Sequence, residues 1–234
     1  PVSLMTGGAD YRAALAGGVA GLRLGVPRAT MWGLLEGEVA AAAEQALHVL
    51  RELGADIIDV DLPDQFAAIG MPGSLGLFSI VIEESRFNHR EAWAAHPEQF
   101  GADLAAIYSA PILTGAMVAE SLETVYRYAA AVRAVLTEVD LLVAPTVPVP
   151  APLIGAEVVE VAGMELPFIA VGIANVAPFN MARVPAISLP CGFTTLGLPI
   201  GLQLAGRPLD EATVLRVAHA YEQATDWHHR RAAI

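Results

Sequence analysis

The sequence contains no lysine: all 13 of its basic residues are arginine. That excludes from this chain every chemistry that needs an amine side chain, including Walker-type phosphate loops, Schiff bases and Ser–Lys nucleophile pairs. Cysteine is almost as scarce. Cys191 stands alone, so no internal disulfide can form, and a reducing compartment, the cytoplasm, is expected. Charged residues make up 16% of the chain, against about 25% in an ordinary soluble domain. No basic segment followed by an apolar run opens the sequence, so no secretory leader is read there. With Pro1 where an initiator Met would stand, the sequence reads as a fragment or a processed product.

What is present is apolar and acidic. Hydrophobic residues account for 55% of the 234, and 25 acidic residues outnumber the basic ones to give a net charge of −12. This balance argues against a nucleic-acid partner, because phosphate binding needs clustered cations. A chain so apolar builds a core easily but has little polar surface to cover it. Some apolar surface is therefore expected to face another polypeptide, with a homo-oligomer as one form of this. A membrane span is not expected. From Leu166 to Gly206 the sole charge is Arg183, but Pro167, Pro178, Pro185, Pro190 and Pro199 interrupt the run. A spanning helix needs about 20 uninterrupted apolar residues, and prolines at this density break helices.

Strand and helix patterns alternate. Asp10 caps a short helix reaching Leu15. Leu22–Val26 reads as a strand stopped by Pro27. Val39, Ala43, Ala46, Leu50 and Leu53 then keep helical spacing up to Gly54, and Asp56–Val60 is a second strand. Such a unit predicts two parallel strands with a crossover helix. Residues 74–95 read as a helix, with Glu83 and Glu84 as surface charge, and Pro97 begins another. Val118 to Leu136 keeps helical spacing over about five turns. A strand at Leu141–Ala144 runs into an extended loop from Pro145 to Pro150, since each proline fixes φ and disfavours helix before it. A hairpin around Ala162-Gly163, a helical stretch from Phe168 to Asn175, strands at Ala186–Leu189 and Ile200–Ala205, and a last helix capped by Asp210 complete the chain. There is no internal repeat and no linker. The fold class is α/β, a mixed central sheet flanked by helices on both faces.

Motif chemistry is sparse. Gly73-Ser74-Leu75-Gly76 fails the G-x-S-x-G spacing of a serine-hydrolase elbow and reads as a turn before a helix. Cys191, at a strand end, reads as a buried small hydrophobe. His89 lies near Glu83 and Glu84 without an H-E-x-x-H pattern, and His228-His229 beside Arg230 and Arg231 reads as a solvated tail. Neither a metal nor a cofactor is expected.

Three ordered segments carry a family resemblance. They are Leu22-Arg23-Leu24-Gly25-Val26-Pro27-Arg28, then Asp140-Leu141-Leu142-Val143-Ala144-Pro145-Thr146-Val147-Pro148, and then Asn180-Met181-Ala182-Arg183-Val184-Pro185-Ala186-Ile187-Ser188-Leu189-Pro190-Cys191-Gly192 followed by Leu198–Gly206. Together with the closing helix and Trp227-His228, the chain resembles the C-terminal portion of an amidase-signature enzyme. The resemblance implies that residues 1–234 are the C-terminal part of a single domain. It implies hydrolysis of a carboxylic amide by a Ser–(cis)Ser–Lys triad, with oxyanion donors from a Gly/Ser-rich loop. In the family these lie in the N-terminal half, and this sequence matches neither the loop nor the lysine. No catalytic residue is therefore carried over, and the chain alone is expected to be inactive.

By the same resemblance the loop at Pro145–Pro148 and the stretch Ile173–Asn180 line the substrate pocket, with Thr146, Ile173 and Asn180 as candidate contacts. The alternative is that the prolines and Asn180 shape tight loops. The expected partners are a small-molecule amide and the absent N-terminal half. The glutamine-hydrolysing component of transfer-RNA-dependent amidotransferases is similar too. That component has an acidic residue where Ile173 stands, and an arginine pair where Ala106 and Ile107 stand after Phe100-Gly101. Burying the charged head group of glutamine against Ile173 would leave it unmatched, which favours a general amidase. A module that binds without catalysis is the third reading, and the coding region upstream of Pro1 discriminates it.

Overall fold

The computed structural model describes residues 10–69 and 75–230. Gly73, Ser74 and Arg231 lie outside them. Helix α1 (Tyr11–Ala14) leads to strand β1 (Arg23–Val26), helix α2 (Gly37–Glu52) and strand β2 (Asp56–Asp59). Helices α3 (Gln65–Ile69), α4 (Leu77–Ala95), α5 (Ala102–Ser109) and α6 (Gly115–Glu138) follow. Strand β3 (Leu141–Pro145), the hairpin β4 (Val158–Val161) and β5 (Met164–Pro167), and helices α7 (Phe168–Ala174) and α8 (Ala177–Ala182) come next. Strands β6 (Ala186–Phe193) and β7 (Pro199–Gly206) and helix α9 (Glu211–Gln223) end the fold.

Local chemistry sets the helix ends. Glu36 accepts from the Glu38 and Val39 N–H groups at the start of α2, and Gly54, at φ +93°, reverses the chain after it. Asp210 accepts from the Thr213 N–H to open α9. The apolar stripes do what their spacing predicts. Val39, Ala43, Ala46, Leu47 and Leu50 of α2 are buried, as are Val214, Val217, Ala218 and Tyr221 of α9.

The sheet has five strands in the order β2-β1-β3-β7-β6. β1 runs parallel to β2 and β3, while β7 is antiparallel to both β3 and β6. The expected parallel crossover unit and mixed sheet are both present. β3 is buried along its whole length, as a central strand covered on both faces must be. A Cβ on Gly206 would meet Val214 of α9, and one on Gly192 would meet Ala42 of α2. These helices therefore cover one face. On the other, Gln203 donates to the Asn175 carbonyl between α7 and α8 at 2.9 Å. Asp140 ties the parallel strands together by accepting from the Arg23 N–H at 2.8 Å and the Arg207 guanidinium at 2.6 Å. Burial pushes its carboxyl pKa up, but these partners outweigh burial and hold it below the usual range.

Several expectations need correction. Pro97 opens only a single 3-10 turn, Pro97–Gln99, because Phe100 turns extended before α5 begins. Glu83 is not free surface charge. It is ion-paired with Arg86 at 3.0 Å and accepts from the Leu113 N–H, pinning α4 to the segment before α6. The solvated tail read at His228-His229 and Arg230 holds only in part: His229 and Arg230 are exposed, but His228 is half-buried. Trp227 packs 6.0 Å from the Phe193 ring, and the Arg230 guanidinium lies 4.7 Å over Phe193. The short helices α3 and α8 have too few residues to show a period.

Candidate functional site

Of the site candidates, Thr146 directly follows the carboxyl end of β3, the strand beside β1. From β1 the chain moves outward through α2 to β2, then returns through α3–α6 to β3 on the other side of β1. Neighbouring parallel strands whose connections leave in opposite directions open a crevice at their carboxyl ends, the usual ligand position in open α/β sheets.

Here that crevice is bridged by one buried amide. Asn175, 1% exposed, donates through Nδ2 to the Met31 carbonyl beyond β1 at 2.9 Å and to the Pro145 carbonyl at the end of β3 at 3.0 Å. Trp32 Nε1 adds a bond to the Val143 carbonyl at 3.0 Å. Gln203 of β7 holds the Asn175 main chain from below. Met31 lies beyond β1 and Pro145 is the last residue of β3, and buried carbonyls at such strand ends must be satisfied from elsewhere. Asn175 Oδ1 is buried and has no hydrogen-bond partner among the described residues.

Thr146 follows directly. Its N–H donates to the Gly201 carbonyl at 2.8 Å, and its hydroxyl lies 2.6 Å from the Ser188 hydroxyl on β6. Gly201 is what lets the two hydroxyls meet: a Cβ there would stand 2.7 Å from Thr146 Oγ1 and 3.0 Å from Ser188 Oγ. Ile173 is half-buried in α7 and packs against the main core. Asn180 is exposed, and its amide folds back onto the Val176 carbonyl of its own helix at 3.4 Å. The Thr146 loop and the α7–α8 stretch are thus brought together, but through Asn175. No hydrogen bond joins Asn180 to Thr146. Arg133 of α6 fixes the far end of α8 with two bonds to the Ala182 carbonyl, at 2.9 and 2.7 Å. Beyond the loop, a cleft of about 340 Å3 opens between Val149–Leu153 and Thr194–Leu198.

The chemistry available is hydrogen bonding rather than proton abstraction. The hydroxyls of Thr146 and Ser188 donate or accept, and among the described residues no titratable side chain is bonded to either. Cys191 lies on β6 but is 2% exposed, and burial pushes its thiol up to about 12, the opposite of what a nucleophilic thiolate needs. Among the described residues no group of three His, Cys, Asp or Glu side chains could hold a metal ion, and no helix is long and apolar enough to cross a membrane. Asn175, Gln203 and Ser188 were not among the sequence candidates. An asparagine in the apolar stretch 168–177 and a glutamine inside an apolar strand were the available signals, since polar groups there must be paired.

The fold is that of a mixed α/β protein with a five-stranded sheet flanked by helices. Residues 4–215 match the Amidase family, and the chain belongs to it. It is 38% identical over 241 residues to the A subunit of the glutamyl-tRNA(Gln) amidotransferase of Chloroflexus aggregans, covering 95% of this chain and 48% of that protein. It is 33% identical over 225 residues to an amidase of Pseudomonas putida, covering 94% and 47%. Among solved structures, it superimposes on an amidase with a TM-score of 0.75 at 27% identity, over 88% of this chain and 46% of that one. The 6-aminohexanoate cyclic dimer hydrolase gives 0.73 at 25% identity, over 98% and 50%. The chain spans about half the length of these relatives.

Proposed function

We propose that this chain is the C-terminal part of a single amidase-signature domain, residues 1–234, and that the whole enzyme hydrolyses a carboxylic amide C–N bond. The reaction uses a Ser–Ser–Lys triad that lies outside the chain. One observation carries this reading. Nearly the whole chain aligns with proteins about twice its length, and it holds no lysine to serve as the base. A serine hydroxyl is a poor nucleophile near neutral pH until a neighbouring group takes its proton. The chain alone is therefore inactive. Its part is to complete the sheet and wall the substrate pocket, with Thr146, Ile173 and Asn180 facing the amide. Thr146 supports this by its place at the carboxyl end of β3, beside the switch point.

The test is direct. Purified chain incubated with a panel of simple carboxylic amides gives no release of amine above the uncatalysed rate. Turnover by the chain alone overturns the assignment. A second reading, the glutamine-hydrolysing component of a transfer-RNA-dependent amidotransferase, has support from the 38% identical relative. Ile173, an apolar residue packed on the core, weighs against it, because the head group of glutamine needs charged partners. Glutaminase activity and co-purification with further subunits would establish the second reading in place of the first.

A further inference from the structure

Helices α3 and α6 pack against each other, and they hold buried polar atoms that their surroundings do not pair. Gln65 of α3 is 2% exposed, and Ser121 and Tyr128 of α6 are 0% and 3% exposed. Among the described residues, Gln65 Oε1, Ser121 Oγ and the Tyr128 hydroxyl have no hydrogen-bond partner. Ser121 and Tyr128 lie about two turns apart on the buried face of α6. Burying a polar group without a partner costs stability. Leucine, alanine and phenylalanine would fill these three places without that cost. An unpaired buried group calls for a reason, and contact with a ligand is one.

Tyr128 also borders a pocket. Between α3 and α6 lies a cavity of about 220 Å3, whose walls include Pro63, Asp64, Ala67, Ala68, Arg127 and Tyr128. An apolar cavity of about 150 Å3 already admits benzene, so one ring with a short side arm fits. The polar groups of the lining are few, and most are engaged. Thr124, also in the wall, donates to the Glu120 carbonyl at 3.1 Å. The Arg127 guanidinium is 3.6 Å from Glu123, with both side chains exposed. Asp64 accepts from the Phe66 N–H through Oδ1 at 3.0 Å. That leaves the second oxygen of Asp64 and the Tyr128 hydroxyl. Burial, and after it the charge of Asp64, raise the pKa of the phenol, so the hydroxyl keeps its proton and can donate. A ligand atom between the two must accept from Tyr128 and donate to Asp64. A single alcohol oxygen does both. A carboxylate has no proton to give and meets Asp64 as a like charge. An ammonium has no lone pair with which to accept.

We propose that the α3–α6 pocket binds a small uncharged alcohol with an apolar body. Its hydroxyl bridges Tyr128 and Asp64, and its hydrocarbon part lies on Pro63, Ala67 and Ala68. Such binding goes beyond amide hydrolysis, does not depend on it, and needs no residue outside the chain.

The test uses benzyl alcohol as the probe, with benzylamine and benzoate as its charged counterparts. It is made on the chain together with the polypeptide encoded immediately upstream of Pro1, fused or separate as the genome has it. Calorimetry reads binding, and the midpoint of thermal unfolding is followed without ligand. Benzyl alcohol binds saturably at one site per chain in the millimolar range, and neither counterpart displaces it. Tyr128→Phe weakens binding about tenfold, through the loss of one hydrogen bond to the ligand. The same variant raises the ligand-free midpoint by about 2–4 °C, because an unpartnered buried hydroxyl is gone. Ala67→Leu, on the exposed flank of α3, fills the pocket, abolishes binding and leaves the midpoint in place. Absence of saturable binding overturns the proposal, as does displacement of the probe by benzylamine or benzoate. Binding by Tyr128→Phe as tight as that of the original protein overturns it as well. So does a ligand-free midpoint that fails to rise, which would mean that the hydroxyl bonds a structural partner such as trapped water. Undiminished binding by Ala67→Leu places the probe elsewhere and overturns it too.

Discussion

Asn175 carries more of the local architecture than any residue named from the sequence. Its Nδ2 satisfies two carbonyls, that of Met31 beyond β1 and that of Pro145 at the end of β3. Removing it orphans both, and a buried polar group left unpaired costs about 1–3 kcal/mol. Asn175→Ala should lower the unfolding free energy by about 2–4 kcal/mol by that loss and the small cavity left behind, read from urea denaturation. Gly201 is constrained as tightly. Gly201→Ala pushes a methyl group into the Thr146–Ser188 pair and should cost about 1–3 kcal/mol as an overpacking change, measured the same way. Loss of under about half a kcal/mol would mean that the hydroxyls separate freely. Cys191 gives a pH signature. Burial raises its thiol from 9.0 to about 12. The folded state therefore holds its proton where the unfolded state releases it. Stability from this group is complete below pH 9.0 and is lost as pH rises toward about 12. Cys191→Ala should flatten the fall in urea stability over that window, and an unchanged slope would show that other groups cause it.

At the scale of elements, the legible parts were those with a long period and a marked end. α2, α9 and the β1–α2–β2 unit could be read because apolar stripes, an N-capping side chain and Gly54 agree. The Pro145–Pro150 loop was legible from its prolines. α3 and α8 were not, because five and six residues hold less than two turns. The hairpin around Ala162-Gly163 was read correctly, yet its cost was not. Both residues lie at positive φ, +52° and +77°, the geometry of a two-residue hairpin turn. A side chain in this left-handed region costs about 1–2 kcal/mol. Ala162→Asn or Ala162→Gly should raise the midpoint of thermal unfolding, with a stabilisation of about 0.5–1 kcal/mol. A lower midpoint would show that Ala162 makes a compensating contact. Of the candidate site, the Thr146 loop could be seen in advance. The bridge from Asn175 could not, because its partners lie 144 and 30 residues away in sequence.

For the whole molecule, the composition and the sheet make one point. A chain that is 55% hydrophobic and 16% charged leaves large apolar side chains on its surface, among them Phe87, Ile112, Leu153 and Leu196. Leu153 and Leu196 line one cleft, and contiguous exposed apolar surface marks contact with other polypeptide. On this account the isolated chain should self-associate, and light scattering at rising concentration would show it. A monomer at all concentrations would mean that its surface is complete as it stands.

The order of the strands also bears on how the chain is made. β1 lies between β2 and β3, and the bond from the Arg23 N–H to Asp140 spans 117 residues. A ribosome adds about 5–20 residues per second. The inner edge of β1 therefore emerges on the order of 6–23 seconds before the strand that covers it, with α3–α6 still to be synthesised. During that interval β1 and β2 have no third strand to pair with, and two strands alone are marginally stable. The nascent chain is then most exposed to mispairing, and a chaperone that shields extended apolar segments would have its greatest effect.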